Sequence, residues 1–172
     1  MLLSQGREWS LTELAGKTGA SLSPAQREMA RAQDAGVVSS RRLGNTRLMT
    51  AADSTLTGPL TELLLWSFGP RQVIAAELVG LAGIEKGFLF GSWAARYAGQ
   101  DGPAPADIDV LVIGQADRDD LDEAAQRAGS RIAQDVNVTI RSPQWWRDGG
   151  DEFYTEVARR PLIPVLTDGR QR

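Results

Sequence analysis

Two aspartates one residue apart, in Asp107-Ile108-Asp109-Val110-Leu111-Val112, are the part of this 172-residue chain best suited to chemistry. In an extended strand, residues two apart point the same way. Both carboxylates therefore project together while Ile108 and Val110 face the opposite side. Acids on an otherwise apolar strand are costly to bury unless they are paired or hold a metal. Two carboxylates on one face can bridge magnesium ions that also hold a nucleoside triphosphate. Upstream, Gly91-Ser92 follows the apolar run Gly87-Phe88-Leu89-Phe90 and precedes Trp93-Ala94-Ala95-Arg96-Tyr97, which suits a helix. A glycine–serine turn between strand and helix offers backbone N–H groups and a hydroxyl to phosphate oxygens.

Composition narrows the chemistry further. The chain has no cysteine and no histidine, which excludes disulfides, thiolate metal sites and histidine-based acid–base or Ser-His-Asp catalysis. Any metal must be hard and held by oxygen, and magnesium is the first candidate. A net charge of −3 excludes a protein that coats nucleic acid by charge alone. Hydrophobic content of 42% and charged content of 24% are those of a folded globular protein, of a length for one ordinary domain or two small ones. Leu2-Leu3 is too short for a signal peptide and no apolar run reaches membrane-spanning length, so a cytoplasmic location without membrane contact is expected.

In order and context, Phe90-Gly91-Ser92-Trp93-Ala94-Ala95-Arg96 followed by Ala106-Asp107-Ile108-Asp109-Val110-Leu111-Val112 resembles the GS…DxD motif of minimal nucleotidyltransferases of the DNA polymerase β superfamily. The resemblance covers roughly the last hundred residues. It implies that Gly91 and Ser92 hold a triphosphate and that Asp107 and Asp109 are the magnesium-binding, catalytic acids. Two departures follow. The segment from Trp93 to Ala106 is longer than the family's usual spacing, with Gly99-Gln100-Asp101-Gly102-Pro103-Ala104-Pro105 as an inserted loop. The family also places a third carboxylate on the next strand, and Asn137 aligns there, in Asp135-Val136-Asn137-Val138-Thr139. Asparagine can coordinate a metal through its carbonyl but cannot act as a base. Asp135 shares its face, displaced by about 6–7 Å along the strand. The domain is therefore expected to bind a nucleotide with magnesium. The alternative is active magnesium-dependent transfer onto a protein or small molecule. The family includes antitoxins that adenylylate a small helical partner protein.

Strands must alternate with helices to position these groups. Ile108 to Ile113 and Val136 to Ile140 read as strands, with a helix from Asp119 to Ala133 between them. Trp145, Trp146 and Phe153 to Ala158 suggest one further helix, stopped by Pro161, before a strand from Leu162 to Leu166. Adjacent residues on a helix diverge by about 100°, so one of the two tryptophans is expected in the core and the other at its rim. The fold class is α+β with a mixed α/β sheet flanked by helices.

The first part of the chain is organised differently. Ser10-Leu11-Thr12-Glu13 is a capping box, and Gly19 is placed to end its helix. Ser23 as N-cap with Pro24 at the first helical position starts a second helix after a short turn, with Ala25, Met29 and Ala32 inward and Gly36 as the stop. Val37 to Arg42 and Thr46 to Thr50 flank Leu43-Gly44-Asn45, a tight turn. A helix-turn-helix followed by a hairpin is a winged helix.

Over roughly residues 7–65 this module resembles bacterial winged-helix regulators of the ArsR-like type. The resemblance implies double-stranded DNA as a partner and a homodimer. Ser23, Gln26, Arg27, Ala30 and Arg31 would face outward on the second helix, with Gln26 and Arg27 in reach of bases or phosphate. Arg41, Arg42 and Arg47 around the wing turn would meet phosphates. Only Met1 to Arg7, then Glu8-Trp9, precede the capping box, so either the usual first helix is very short or the chain begins inside it. Leu60, Leu63, Leu64 and Phe68 suggest a helix, broken from the next at Gly69-Pro70. The expected domains are 1–69, a winged helix with connector helix, and 70–172, a nucleotidyltransferase fold. The Leu60 to Phe68 helix, with Trp66, would serve as dimer contact or as packing between domains.

Overall fold

The computed structural model describes residues 8–100, 102 and 105–167. The chain is an α+β protein, consistent with a winged helix followed by a nucleotidyltransferase-like domain. Its internal contacts divide it into two compact units, Met1–Leu63 and Leu64–Arg172.

In the first unit, a short strand β1 (Trp9–Ser10) leads into α1 (Leu11–Thr18), then α2 (Leu22–Asp34) and the hairpin β2 (Val38–Leu43) and β3 (Thr46–Ala51). The three strands form one antiparallel sheet in the order β1-β3-β2. The capping box is complete: Ser10 accepts from the Glu13 N–H at 3.2 Å and the Glu13 carboxylate accepts from the Ser10 N–H at 2.8 Å. Gly19 ends α1 in the left-handed conformation at φ 67°. The hairpin closes on Gly44-Asn45, with Gly44 at φ 59° where a side chain would be strained. Trp9, Leu14, Val38 and Met49 form the core, flanked by Met29 and Ala32 from α2.

Two sequence expectations change here. The second helix starts earlier, with Ser21 as N-cap rather than Ser23. Pro24 therefore sits at the third helical position, which is tolerated because the first-turn N–H groups have no intrahelical partner. Strand β1 was not expected, since two residues carry no alternation pattern. Its sequence trace is Trp9 directly before the cap: Trp9 and Leu14 occupy the two positions of a hydrophobic staple, and both are buried in the same cluster. The expectation about a first helix concerns Met1 to Arg7, which lie outside the described residues.

Helix α3 (Thr57–Phe68) runs across the division between the units and α4 (Pro70–Leu78) follows directly. At the break a Cβ on Gly69 would run into the Leu65 carbonyl and the Tyr97 hydroxyl. That hydroxyl donates to the Leu65 carbonyl and accepts from the Arg71 N–H, both at 3.1 Å, and burial pushes its pKa up to about 12. It stays protonated and holds the corner.

The second unit is built on a four-stranded mixed sheet in the order β6-β5-β4-β7. Its elements are β4 (Ile84–Phe90), α5 (Gly91–Tyr97), β5 (Asp107–Gly114), α6 (Arg118–Ile132), β6 (Asp135–Arg141), α7 (Pro143–Asp148), α8 (Glu152–Ala158) and β7 (Ile163–Thr167). Strands β5 and β6 are parallel, and β4 runs antiparallel to both β5 and β7. Strand β5 is central and its residues 110–113 are buried on both faces. Ile108, Val110 and Val112 join Leu121, Ala124 and Ala128 of α6 in the larger core. On the other face Leu111 and Ile113 pack with Phe88 and Val157. Glu77 on α4 accepts from Arg127 at 2.9 Å and from Arg131 at 2.8 Å, fastening α6 to α4. The edge strands are guarded by arginines that donate to outward carbonyls, Arg118 to Val138 at 3.0 Å and Arg71 to Pro164 at 2.8 Å.

The single helix expected around Trp145 and Phe153 is two helices. Gly149 and Gly150 both adopt positive φ, at 65° and 104°, and Asp151 caps the second helix. The break lets both tryptophans turn to one aromatic cluster instead of dividing into core and rim. Trp146 stacks on Phe88 at 5.1 Å and Trp145 lies 5.8 Å from Phe153, each half-buried. Asp151 accepts from the Tyr154 N–H at 2.6 Å and from the Trp145 indole at 2.7 Å. These bonds, the Tyr154 one foremost, hold its carboxyl below the ordinary range. A depressed folded-state pKa contributes stability above the unfolded value, about 3.9, and loses it as pH falls through the folded one. The near-UV circular dichroism of the tryptophans is accordingly expected to be flat from pH 7 to about pH 4 and to change only below the usual aspartate range. A transition centred above pH 5 would contradict this cap.

No helix among the described residues is long and apolar enough to cross a membrane.

Candidate functional site

Residues from three strands and one turn meet at one end of the second unit's sheet. Asp107 and Asp109 open β5, both half-buried, while Ile108 between them is fully buried on the other face. Phe90, the last residue of β4, is the register partner of Asp109, so the chain turns into α5 directly beside that carboxylate. Gly91 makes the turn at φ 67°, and a Cβ there would meet Asp109 Oδ2 at 2.5 Å. Glycine is required twice over at this position, for its backbone conformation and for its closeness to the acid. Ser92 follows, exposed. Helix α5 has only seven residues, so its dipole adds little and phosphate contact would come from the Ser92 hydroxyl and local N–H groups.

Asn137 stands opposite Asp109 in the parallel β5–β6 register, and Asp135 opposite Asp107. The Asn137 side-chain amide donates to Asp107 Oδ2 at 2.9 Å. The position expected from the motif to carry a third acid thus holds an amide that binds the acid pair. Asp135 is exposed at the start of the strand.

The electrostatics are those of an uncompensated anionic site. Burial, then the neighbouring Asp107 charge, pushes the Asp109 carboxyl above its ordinary range, opposed by a hydrogen bond from Asn137. No lysine or arginine forms an ion pair with Asp107 or Asp109 among the described residues. Among those residues there is also no group of three or more acidic, histidine or cysteine side chains arranged to hold a metal. Magnesium nonetheless commonly takes one or two carboxylates and completes its shell with water and substrate phosphates. Two carboxylates on one strand face, beside a cradle that a Cβ would fill, fit a magnesium–nucleotide complex better than a metal held by protein alone.

In the first unit, Ser23, Gln26, Arg27, Ala30 and Arg31 are all exposed along α2, opposite the half-buried Ala25, Met29 and Ala32. The arginines there and on the wing differ in their surroundings. Arg31 pairs with Glu28 at 2.9 Å and Arg41 is bound bidentately by Glu8 at 2.5 Å. Arg47 donates to Ser40 Oγ and Gln33 Oε1, which ties the wing to α2. Arg42, cross-strand partner of Arg47, shares its sheet face, whereas Arg41 lies on the other. Arg27 and Arg42 have no hydrogen bond or ion pair among the described residues.

No protein-family model matches the sequence, and no curated protein matches it. Solved structures show partial likeness. The chain is similar to reduced HlyU from Vibrio cholerae at 25% identity, covering 39% of this chain and 70% of that one, with a TM-score of 0.35. It is similar to a toxin–antitoxin structure with AMP-PNP at 18% identity, covering 56% and 73%, with a TM-score of 0.41. It is also similar to the tri-AMPylated Shewanella oneidensis HEPN toxin in complex with MNT antitoxin, at 17% identity, 56% and 72% coverage and a TM-score of 0.36. Scores of this size transfer no residue role, and the site is read from its own geometry.

Proposed function

We propose that the chain is a DNA-binding transcriptional regulator whose second unit binds a nucleotide together with magnesium. The observation that carries the nucleotide half is the Gly91 turn, where a Cβ would meet the Asp109 carboxylate, with Asp107 alongside and no ion pair to either acid among the described residues. In this reading Asp107 and Asp109 ligate magnesium, Gly91 and Ser92 contact the phosphates, and the Asn137 amide orients Asp107. Magnesium, when bound, would offset the charge of the two acids and of the phosphates. Binding is favoured over transfer because Asn137 supplies neither a base nor a third negative ligand.

The DNA half rests on the exposed outer face of α2 with the unpaired Arg27, and on Arg42 near the wing turn. Gln26 and Ser23 would reach base edges, and Arg31, Arg41 and Arg47 would reach phosphate only by exchanging present partners. A homodimer suits paired half-sites, and Leu56, Leu63 and Phe68, at 58%, 62% and 79% exposure, offer apolar surface for one. The functional domains are taken as 1–69 and 70–172.

Calorimetric titration of magnesium with each of the four nucleoside triphosphates tests the nucleotide half. Wild-type protein is expected to bind at least one of them with magnesium and not in its absence, and Asp109→Asn to bind at least tenfold more weakly. Equal binding by wild type and Asp109→Asn would remove the site from the reading.

A further inference from the structure

On the sheet face that carries Asp107 and Asp109, the neighbouring surface is aromatic. Phe90 pairs with Asp109 across β4 and β5, so the two side chains share a face. The Phe90 ring meets Phe153 edge-on with centroids 5.8 Å apart, and Phe153 lies 5.8 Å from Trp145 with 31° between the planes. The Arg141 guanidinium sits 4.9 Å from the Phe153 centroid and 5.6 Å from that of Trp145. Phe90, Trp145 and Phe153 are half-exposed, whereas Phe88, Leu111 and Ile113 beneath them are buried. The three rings pack against that buried layer and still keep part of their surface open. Arg141 makes no ion pair among the described residues, and its hydrogen bond goes to the adjacent Ile140 carbonyl at 3.0 Å.

We propose that Phe90, Trp145, Phe153 and Arg141 form a shelf that receives the base of the nucleotide whose phosphates meet Gly91, Ser92 and the acid pair. This inference rests on the nucleotide reading above. Cross-strand partners on one face have Cβ atoms about 4.5–5.5 Å apart, so a ring beside Asp109 is within one sugar's reach of a phosphate held there. Every base presents a π face, and stacking on aromatic rings and on a guanidinium plane is tolerant of base identity. Thr139 lies between Asn137 and Arg141 on the same face of β6, half-buried, and presents a hydroxyl along that path. The predicted ligand is therefore a whole nucleoside triphosphate and not inorganic polyphosphate.

The test is calorimetric binding of magnesium tripolyphosphate and of each magnesium nucleoside triphosphate to the full chain, as wild type and as Phe153→Leu. Leucine keeps apolar volume and loses the π face. Wild type is expected to bind at least one nucleotide about tenfold or more tighter than tripolyphosphate, and Phe153→Leu to lose that increment while keeping its tripolyphosphate affinity. Phe90→Leu should do the same, and serves if Phe153→Leu fails to fold. Equal affinity of wild type for tripolyphosphate and all four nucleotides overturns the shelf and leaves the phosphate site standing. An undiminished increment in a folded variant also overturns the shelf. Binding of no ligand to wild type overturns the nucleotide reading and the shelf with it.

Discussion

Asn137→Asp is expected to lower the melting temperature of the metal-free protein and to make that temperature rise steeply with magnesium. The wild-type site already holds two acids with no ion-pairing cation among the described residues, and burial together with Asp107 disfavours ionised Asp109. A raised folded-state pKa means that the charged form works against the fold at neutral pH. The amide of Asn137 relieves part of that by donating to Asp107 at 2.9 Å. Substituting a carboxylate removes the donor and adds a third like charge on the next strand. A cost of about 1 kcal/mol in a unit of this size corresponds to a drop of about 4 °C. Magnesium at a hundredfold its dissociation constant returns about 2.7 kcal/mol. Thermal melts in chelator and in magnesium measure both quantities. If the variant melts like wild type in chelator and ignores magnesium, the acids do not share a site with position 137. The same substitution restores the charge pattern that nucleotidyl transfer calls for. Label from a nucleoside triphosphate appearing on the protein or on an added acceptor would identify Asn137 as what separates binding from catalysis here.

The double substitution Arg27→Ala with Arg42→Ala is expected to reduce DNA affinity by tenfold or more and to flatten its salt dependence. Both guanidiniums are exposed and have no hydrogen-bond or ion-pair partner among the described residues to give up, so each can neutralise a phosphate at little cost. Each such contact contributes about 0.9 to the slope of log affinity against log salt, so losing two lowers that slope by roughly 2. Arg41 enters differently, because Glu8 binds it bidentately and already compensates its charge. Binding measured between about 50 and 200 mM salt gives the slope directly. An unchanged slope in the double variant would remove this face as the DNA contact, and no binding by wild type at low salt would remove the DNA half of the proposal.

The two candidate sites were legible to different depths. Asp107 and Asp109 share a face because strand alternation is local, and the buried Ile108 between them bears that out. The capping box at Ser10 and Glu13, the stop at Gly19 and the turn at Gly44 follow from side chains and backbone conformations within a few residues of one another. Sequence reasoning was weaker where a residue's role depends on a distant partner. The arginines around the wing turn read alike from the sequence, yet Glu8, thirty-three positions away, claims Arg41, and Gln33 with Ser40 holds Arg47, whereas the Arg31–Glu28 pair on α2 is only three apart. Glycine at 91 could be read as a turn former, but that a Cβ there would also run into the Asp109 carboxylate is a fact of strand register.

The Trp145 and Trp146 pair shows the division most clearly. Helical geometry correctly separates adjacent side chains, and Gly149-Gly150-Asp151 in the sequence carries both the break and the cap that split the segment in two. What local rules could not supply was the returning helix. By folding back over the sheet, α8 brings Phe153 and Tyr154 to the tryptophans and sets the whole group beside Phe90. By itself, then, the sequence determined most of the elements, the acid pair and the glycine–serine turn, because each is set by interactions within a few residues. Only the tertiary structure decided which charges remain free, that Asn137 binds Asp107, and that the acids stand beside an aromatic surface. The Asn137–Asp107 and Glu8–Arg41 contacts join residues thirty or more positions apart, and the pairing of Phe90 with Asp109 is a matter of strand register, so no local pattern encodes them.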